Sequence, residues 1–124
     1  MPHKIEITAG TIRVEARLND SPSAKSIADA LPIKARAQRW GGEIYFRIPV
    51  KAELEKDSQD VLEAGELGYW PPGKAFCIFF GPTPASEGDE IRAASQVNIV
   101  GRIKGDCSSL WDVPDGAPIT IQTA

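Results

Sequence analysis

Arg39 is the charged residue of this sequence that is best placed to bind a ligand. It lies in residues 33–40, where aliphatic and polar residues alternate as in a half-buried strand, and it falls on the aliphatic side. An arginine on an apolar face must reach a rim, a partner or a ligand, because burying its charge unpaired is costly. Its guanidinium fork suits a carboxylate or a carbonyl oxygen. The structural alternative is a salt bridge at the rim, with Glu43 or Glu66.

The turn Gly41-Gly42 positions Arg39 between two predicted strands. Paired glycines are typical of a two-residue β-hairpin, since a type I′ turn needs a positive φ at both positions. With that turn, Trp40 faces Glu43 and Arg39 faces Ile44. The aliphatic residues of both strands then share one face, which supports this register.

The opposite face of the predicted hairpin carries Trp40 and Tyr45. Their rings either cover the stems of lysine and arginine side chains or mark a surface for a partner protein. The assignment of Arg39 to the inner face requires a regular strand, because a single β-bulge would exchange it with Arg36.

Three further residues of the later strands are candidates for a binding site. Tyr69 and Trp70 are neighbours in a strand and point to opposite faces, so one belongs to the core and the other lines a pocket. We assign Trp70 to packing and Tyr69 to the pocket. Thr83 follows the apolar strand at residues 75–80. Asn98 is a polar residue within a strand and either reaches into a pocket or faces water.

The remaining pattern predicts a mainly β protein with one helix. Two alternating runs flank Gly10, which predicts a second hairpin. Ser21 and Pro22 suit the N-cap and the first position of a helix, which ends before Pro32.

The later part of the chain is read as short strands joined by turns. Residues 71–74 predict a type II turn with a positive φ at Gly73. Residues 84–96 are polar and predict a mobile loop, and residues 97–103 predict a strand. Short strands separated by glycine and proline turns indicate a sandwich or a closed barrel.

Length and composition limit the possible classes of function. The chain has 124 residues, which suits a single domain over residues 1–124. A net charge of −3 and a pI near 5.1 argue against nucleic acid as a partner. No apolar run reaches the length of a membrane span, and the N-terminus lacks the apolar core of a signal peptide, so we expect no membrane partner and a cytoplasmic location.

Chemistry that depends on metals or reactive thiols is not indicated. The single histidine and the two cysteines have no spacing typical of metal ligands, so we expect no metal and no cofactor. Cys77 lies within an apolar strand and Cys107 in a polar loop, which favours reduced, inert thiols.

Three segments of the chain, in order, resemble a small prokaryotic family of cyclophilin-like proteins of similar length and uncharacterised function. The segments are Trp-Gly-Gly-Glu-Ile-Tyr-Phe at 40–46, Gly-Glu-Leu-Gly-Tyr-Trp-Pro-Pro-Gly at 65–73 and Cys-Ile-Phe-Phe-Gly-Pro-Thr-Pro at 77–84. The resemblance spans nearly the whole chain. It implies a small closed β-barrel of cyclophilin type, which here would have about eight strands and one flanking α-helix.

The same resemblance raises the question of prolyl isomerase activity. The isomerase site resembles an apolar cup of aromatic rings beside one arginine that bonds the imide nitrogen of the twisted peptide. Arg39 matches that arginine, and Phe79 matches the aromatic strand that lines the cup. Val97 stands where isomerases tend to have a histidine, and the only histidine, His3, is at the wrong end of the chain.

These observations predict a groove that binds a small molecule or an extended peptide. We build it from Arg39, Tyr69, Phe79, Thr83 and Asn98, with Arg39 supplying the charge and the aromatic residues the floor. One alternative is a peptidyl-prolyl cis-trans isomerase with a reduced active site, in which Arg39 is the candidate catalytic residue. Another is a protein-interaction module that uses its outer aromatic side chains.

Overall fold

The computed structural model describes residues 3–124, which form ten β-strands and one α-helix. The elements are β1 (His3–Ala9), β2 (Ile12–Leu18), α1 (Pro22–Ala30), β3 (Ile33–Arg36), β4 (Gln38–Trp40), β5 (Glu43–Arg47), β6 (Gln59–Leu62), β7 (Glu66–Trp70), β8 (Ala75–Phe79), β9 (Ile91–Ile103) and β10 (Pro118–Thr123). Two short 3-10 helices, Pro71–Gly73 and Ser108–Asp112, lie between strands.

The strands form one curled antiparallel sheet. Nine of them follow the order β3-β10-β1-β2-β9-β7-β8-β5-β4, and β6 pairs with β9 away from this path. The end strands β3 and β4 are consecutive in the chain and are separated only by Ala37. The mainly β class with one helix is therefore confirmed. The pairing order itself has two ends, so closure into a barrel stays a prediction, and the strand number is larger than expected.

The two faces of the sheet carry separate apolar clusters. The larger one packs beneath α1 and includes the stacked rings of Phe46 and Phe76, whose centroids are 5.5 Å apart. The smaller one lies on the other face, which we call the outer face, and contains Cys77, Phe79 and Val97 among its members. Strand β9 is long enough to contribute to both clusters.

The elements that depend on local signals form as predicted. Gly10 has a φ of +60° between β1 and β2. Ser21 caps α1, its hydroxyl accepting a hydrogen bond from the Ala24 amide at 3.2 Å. Arg39 pairs with Ile44 and Trp40 with Glu43, which confirms the predicted register of the hairpin. Its predicted type I′ turn is wrong, because Gly41 has a positive φ of 61° whereas Gly42 does not have a positive φ.

Two predicted features of the later chain are wrong. Residues 91–96, expected within a mobile loop, are the first half of β9 and pair with β6. The turn after β7 is a 3-10 turn in which Lys74, and not Gly73, has the positive φ, at 49°. Gly73 is required for another reason, since a Cβ there would lie 2.8 Å from the ring of Trp70.

Strand β9 also changes faces along its length. A regular strand places Val97, Ile99 and Ile103 on one face, because successive side chains alternate. The pairing of β7 with β9 shifts between Leu67 and Gly68, which marks an irregularity of the β-bulge type. As a result Val97 belongs to the outer cluster, whereas Ile103 belongs to the larger core.

Candidate functional site

A cleft opens on the outer face of β5, β7 and β8, beside the first half of β9. Its volume is about 140 Å³. It is lined by three aromatic rings, one carboxyl, one thiol and three aliphatic side chains: Trp40, Tyr45, Trp70, Glu43, Cys77, Ala93, Ala94 and Val97. We call it the outer cleft.

The hairpin of β4 and β5 supplies the first wall of the outer cleft. Trp40 and Glu43 are direct cross-strand partners, and Tyr45 lies two residues beyond Glu43 on the same face. Tyr45 in turn pairs with Cys77 of β8. The alternation that sends Ile44 into the larger core therefore sends these four side chains to the outer face.

Trp70 forms the opposite wall and is held in place from two sides. Its indole N–H donates a hydrogen bond of 2.6 Å to the hydroxyl of Ser95 on β9. The six-membered ring lies directly over Gly73, where any side chain would collide with it. Because β7 ends at Trp70 and turns through a tight 3-10 segment, the ring is fixed at the rim of the outer cleft.

Glu43 is the one acidic side chain in the lining. It is only 6% exposed, and burial raises the pKa of its carboxyl to about 7, an effect that a hydrogen bond with the Cys77 thiol partly offsets. Within residues 3–124, no lysine or arginine forms an ion pair with it. The outer cleft therefore contains a carboxyl group that has no positively charged partner within the described chain.

Cys77 is not prepared for nucleophilic chemistry. Burial, followed by the charge and the hydrogen bond of Glu43, raises the pKa of its thiol well above the ordinary value. The reactive form of a cysteine is the thiolate. Both cysteines are free, and Cys77 is buried. The thiol therefore acts as an apolar neighbour of the Glu43 carboxyl.

A second, more open depression adjoins the outer cleft. Its volume is about 560 Å³, and its lining includes Leu54, Pro71, Pro72 and Ser95. Ser95 is the hydrogen-bond partner of Trp70, and Pro71 follows Trp70 in the chain. The Trp70–Ser95 contact thus joins the lining of one depression to that of the other.

The family model described as cyclophilin-like matches residues 3–122. The chain belongs to the cyclophilin-like family. A solution structure of a hypothetical protein from Archaeoglobus fulgidus is 44% identical to it, covers 99% of this chain and 95% of its own, and superposes with a TM-score of 0.85. No sequence among the curated proteins matches the chain.

These likenesses specify the fold and leave the chemistry open. The archaeal relative is itself described as hypothetical, so no activity can be carried over from it. Within residues 3–124, no group of three or more His, Cys, Asp or Glu side chains is placed to hold a metal ion. The same part of the chain contains no helix that is both long and apolar enough to cross a bilayer.

In this cyclophilin-like protein Arg39 lies on the larger-core side, as predicted, but its guanidinium is occupied. It donates hydrogen bonds to the carbonyl oxygens of Val113 at 2.6 Å, Trp111 at 3.3 Å and Gly41 at 3.0 Å. Its Cζ lies 5.3 Å from the ring centroid of Phe80 and 5.6 Å from that of Trp111. The alternative salt bridge to Glu43 or Glu66 does not form. Arg39 instead attaches the hairpin to the loop between β9 and β10, at residues 104–117, which we call the C-terminal loop.

Tyr69 and Trp70 take opposite roles from those expected. Tyr69 is fully buried in the larger core, where its hydroxyl donates to the Val50 carbonyl at 2.6 Å and accepts from the Ala52 amide at 3.3 Å. Trp70 is the one that lines the outer cleft. Phe79 is on the outer face but is fully buried beneath β9, within the smaller cluster.

Thr83 and Asn98 are both buried and both satisfied by the protein itself. The Thr83 hydroxyl donates to the carbonyl of Arg92 and so joins the exit of β8 to the start of β9. The Asn98 side-chain amide donates to the Ser23 hydroxyl at 2.9 Å and to the Glu53 carbonyl at 2.9 Å, and its oxygen accepts from the Glu55 amide at 2.7 Å. The five predicted residues are therefore not brought together in one depression.

The sequence does contain a signal for the outer cleft, and it lies in the hairpin. Trp40, Glu43 and Tyr45 alternate with the inward residues, and the two glycines of the turn make Trp40 and Glu43 direct partners. By itself, this pattern predicts an outer face with two aromatic rings and does not predict a cleft. The contribution of Trp70 and Cys77 depends on the pairing of β8 with the distant strand β5, for which the sequence has no local signal.

Proposed function

We propose that this protein is a binding domain whose outer cleft receives a small molecule or one side chain of an extended peptide. The observation that supports this proposal is the arrangement of Trp40, Tyr45 and Trp70 around the buried carboxyl of Glu43. Ligand sites are typically concave and mostly apolar, with a small number of placed polar groups. The outer cleft has this composition.

The adjoining depression supports the peptide form of the proposal. Leu54, Pro71 and Pro72 give it an apolar floor, and it begins where Trp70 and Ser95 end the outer cleft. A peptide that places one side chain in the outer cleft has its backbone near this floor. A free small molecule uses the outer cleft alone.

A catalytic role as a prolyl isomerase has less support. The arginine of an isomerase site must offer an N–H group to the substrate, whereas three carbonyl oxygens already accept from the two terminal nitrogens of Arg39. The predicted floor of the aromatic cup is not accessible, because Phe79 and Tyr69 are both fully buried. The rings that lie beside Arg39 are instead those of Phe80 and Trp111.

A protein-interaction surface at Trp40 and Tyr45 has less support as well. Both rings are half-buried in the outer cleft and do not form an open patch. The large apolar side chains that are exposed in the described chain are Leu54, Val61 and Trp111, which lie on three different elements or loops. Contiguous apolar surface is the usual mark of a protein partner.

The three tryptophans of the chain offer a direct test by NMR. A ¹⁵N-labelled sample is titrated with a panel of small neutral, cationic and anionic fragments, and the indole N–H signals are followed. Trp40 and Trp70 line the outer cleft and are expected to shift with a saturating fragment, whereas Trp111 does not line it and serves as the internal control. If no fragment in the panel moves the first two signals selectively, the proposal is wrong.

A further inference from the structure

We propose that the ligand of the outer cleft is an organic cation, an alkylammonium group that packs among Trp40, Tyr45 and Trp70 and pairs with the Glu43 carboxylate. This inference rests on the proposed function and adds the chemical class of the ligand. It is supported by the charge of the lining, by its aromatic composition and by its size.

The charge of the lining is the first argument. Only 6% of the surface of Glu43 is exposed. Within residues 3–124 no cationic side chain forms an ion pair with it. A buried carboxylate is stable only with a hydrogen-bonded or cationic partner. The lining contains no lysine, arginine or histidine, so it has nothing to hold an anion. A cation that enters the outer cleft supplies the positively charged partner that Glu43 lacks within the described chain.

The aromatic walls are the second argument. Tryptophan and tyrosine rings attract ammonium groups through their quadrupoles, with tryptophan the strongest, and cages of such rings are used to recognise quaternary ammonium ions. Two of the three rings here are tryptophans. The only arginine–aromatic contacts in the described chain are those of Arg39 with Phe80 and Trp111, so no internal cation occupies the rings of the outer cleft.

The volume is the third argument. The outer cleft measures about 140 Å³. A cavity of roughly 150 Å³ in a protein interior holds one benzene molecule, which has six heavy atoms. A trimethylammonium group has four heavy atoms and fits the same space. Larger ligands must extend outward, toward the depression that contains Pro71 and Pro72.

The protonation of Glu43 gives the inference a distinctive pH dependence. Burial raises the pKa of this carboxyl to about 7, so it is mostly neutral in the empty cleft below that pH. A cation binds the ionised form, so binding releases a proton below pH 7, and affinity rises with pH until the carboxyl is ionised. The other titratable groups in the lining are Tyr45 and Cys77, and the residues contributed by β7 and β9 are uncharged. The pKa of Cys77 is raised well above its ordinary value, so this thiol stays neutral across the range.

The test compares choline with its neutral carbon isostere, 3,3-dimethyl-1-butanol, by calorimetry and by the indole signals of Trp40 and Trp70. Both are titrated at pH 5.5 and pH 8.5 into the wild type, Glu43→Gln and Glu63→Gln. Glu63 is an exposed acid that does not line the outer cleft, so its variant has the same change of net charge. We expect choline to bind roughly tenfold or more tightly at the higher pH in the wild type and in Glu63→Gln, because the ionised fraction of Glu43 changes by more than that. In Glu43→Gln this pH dependence is expected to disappear.

The outcomes separate this inference from the proposed function. Equal binding of choline and its isostere, or choline binding that does not respond to pH, overturns the cation and leaves a neutral ligand. If neither compound binds while other fragments of the panel shift Trp40 and Trp70, the cation is again overturned and the binding domain stands. If nothing shifts these two signals, both proposals are wrong. A short peptide that contains trimethyllysine, titrated beside choline, shows by its relative affinity whether the alkylammonium group belongs to a side chain or to a free compound.

Discussion

Glu43 allows the electrostatics of the outer cleft to be measured without any ligand. An ordinary glutamate loses its proton near pH 4.5, whereas this carboxyl, when folded, does so near pH 7. Between these values the folded protein binds one more proton than the unfolded chain, so its stability falls as pH rises through this window. One pH unit corresponds to about 1.4 kcal/mol, so the whole window amounts to roughly 3 kcal/mol at most.

The first prediction follows from this sign. Glutamine keeps the shape of Glu43 and removes its charge, so Glu43→Gln is expected to be more stable than the wild type at pH 8 by about 2 kcal/mol. At pH 4.5 the two proteins are expected to be nearly equal. Urea unfolding at a series of pH values measures the difference. Glu63→Gln is the control, since its side chain is 77% exposed. Parallel curves for wild type and Glu43→Gln would contradict the raised pKa.

Arg39 allows a second prediction about a single side chain. Its planar guanidinium reaches carbonyl oxygens of Gly41, Trp111 and Val113 at once, which the single ammonium of a lysine cannot reproduce. Arg39→Lys is therefore expected to lower the free energy of unfolding by about 1–3 kcal/mol, because carbonyl oxygens of the hairpin and of residues 111–113 lose their hydrogen bonds.

The matched control for this prediction is Arg36→Lys. Arg36 is exposed and donates one side-chain hydrogen bond, to the Gly116 carbonyl at 3.1 Å. Its replacement is expected to change stability by less than about 0.5 kcal/mol, as is usual for the surface. Equal effects of the two variants in urea unfolding would show that the carbonyl contacts of Arg39 add nothing to stability.

At the scale of the elements, β9 shows what the sequence predicts and what it leaves open. The hairpin of β4 and β5 follows from alternation and a glycine pair, which are local signals, and its register forms as expected. Residues 91–96 read Ile-Arg-Ala-Ala-Ser-Gln, and their position in a polar stretch predicts a loop. They are ordered as a strand by pairing with β6, about thirty residues earlier in the chain, and nothing in their own composition indicates that pairing.

The candidate site was harder to predict for the same reason. The alternation of side chains places Trp40, Glu43 and Tyr45 on one face. Only the pairing of β8 with the distant strand β5 brings Trp70 and Cys77 next to them. Asn98 illustrates the opposite error. A polar residue in a strand suggests a ligand, whereas its partners are groups of α1 and of the irregular segment after β5. Which polar residue is used internally depends on packing that the sequence does not display.

A third prediction concerns the contact of β9 with β2. At Gly101 an added Cβ would lie 2.1 Å from the carbonyl oxygen of Arg17, a backbone atom that cannot move aside. Gly101→Ala is therefore expected to destabilise the protein by about 3 kcal/mol or more, or to prevent folding. Gly88→Ala is the control, because its nearest atom would be 3.6 Å away. Thermal unfolding of both variants decides the matter, and equal melting temperatures would contradict the close approach of these strands.

At the scale of the whole molecule, family membership and function separate. The cyclophilin-like match spans residues 3–122, so the fold is shared along nearly all of the chain. Function depends on which face of that fold carries a site and on what lines it. Here the arginine expected for isomerisation is bonded to the protein, while the outer cleft combines aromatic rings with a buried acid. The proposed binding role therefore depends on residues other than those of the isomerase pattern, and the shared fold does not decide between them.

The fourth prediction is that the protein does not accelerate prolyl isomerisation. The barrier to rotation is about 18–20 kcal/mol, because the peptide resonance must be broken. Lowering it requires an apolar cup with a hydrogen-bond donor at the imide nitrogen. Three N–H groups of Arg39 are donated to carbonyl oxygens of the protein itself, and its unpartnered Nε is buried. A proline tetrapeptide is assayed with the wild type, Arg39→Ala and an authentic cyclophilin as positive control. The wild type is expected to match the uncatalysed rate. Acceleration by the wild type that disappears in a folded Arg39→Ala variant would instead mean that the C-terminal loop releases this guanidinium in solution, and the isomerase alternative would replace the binding role.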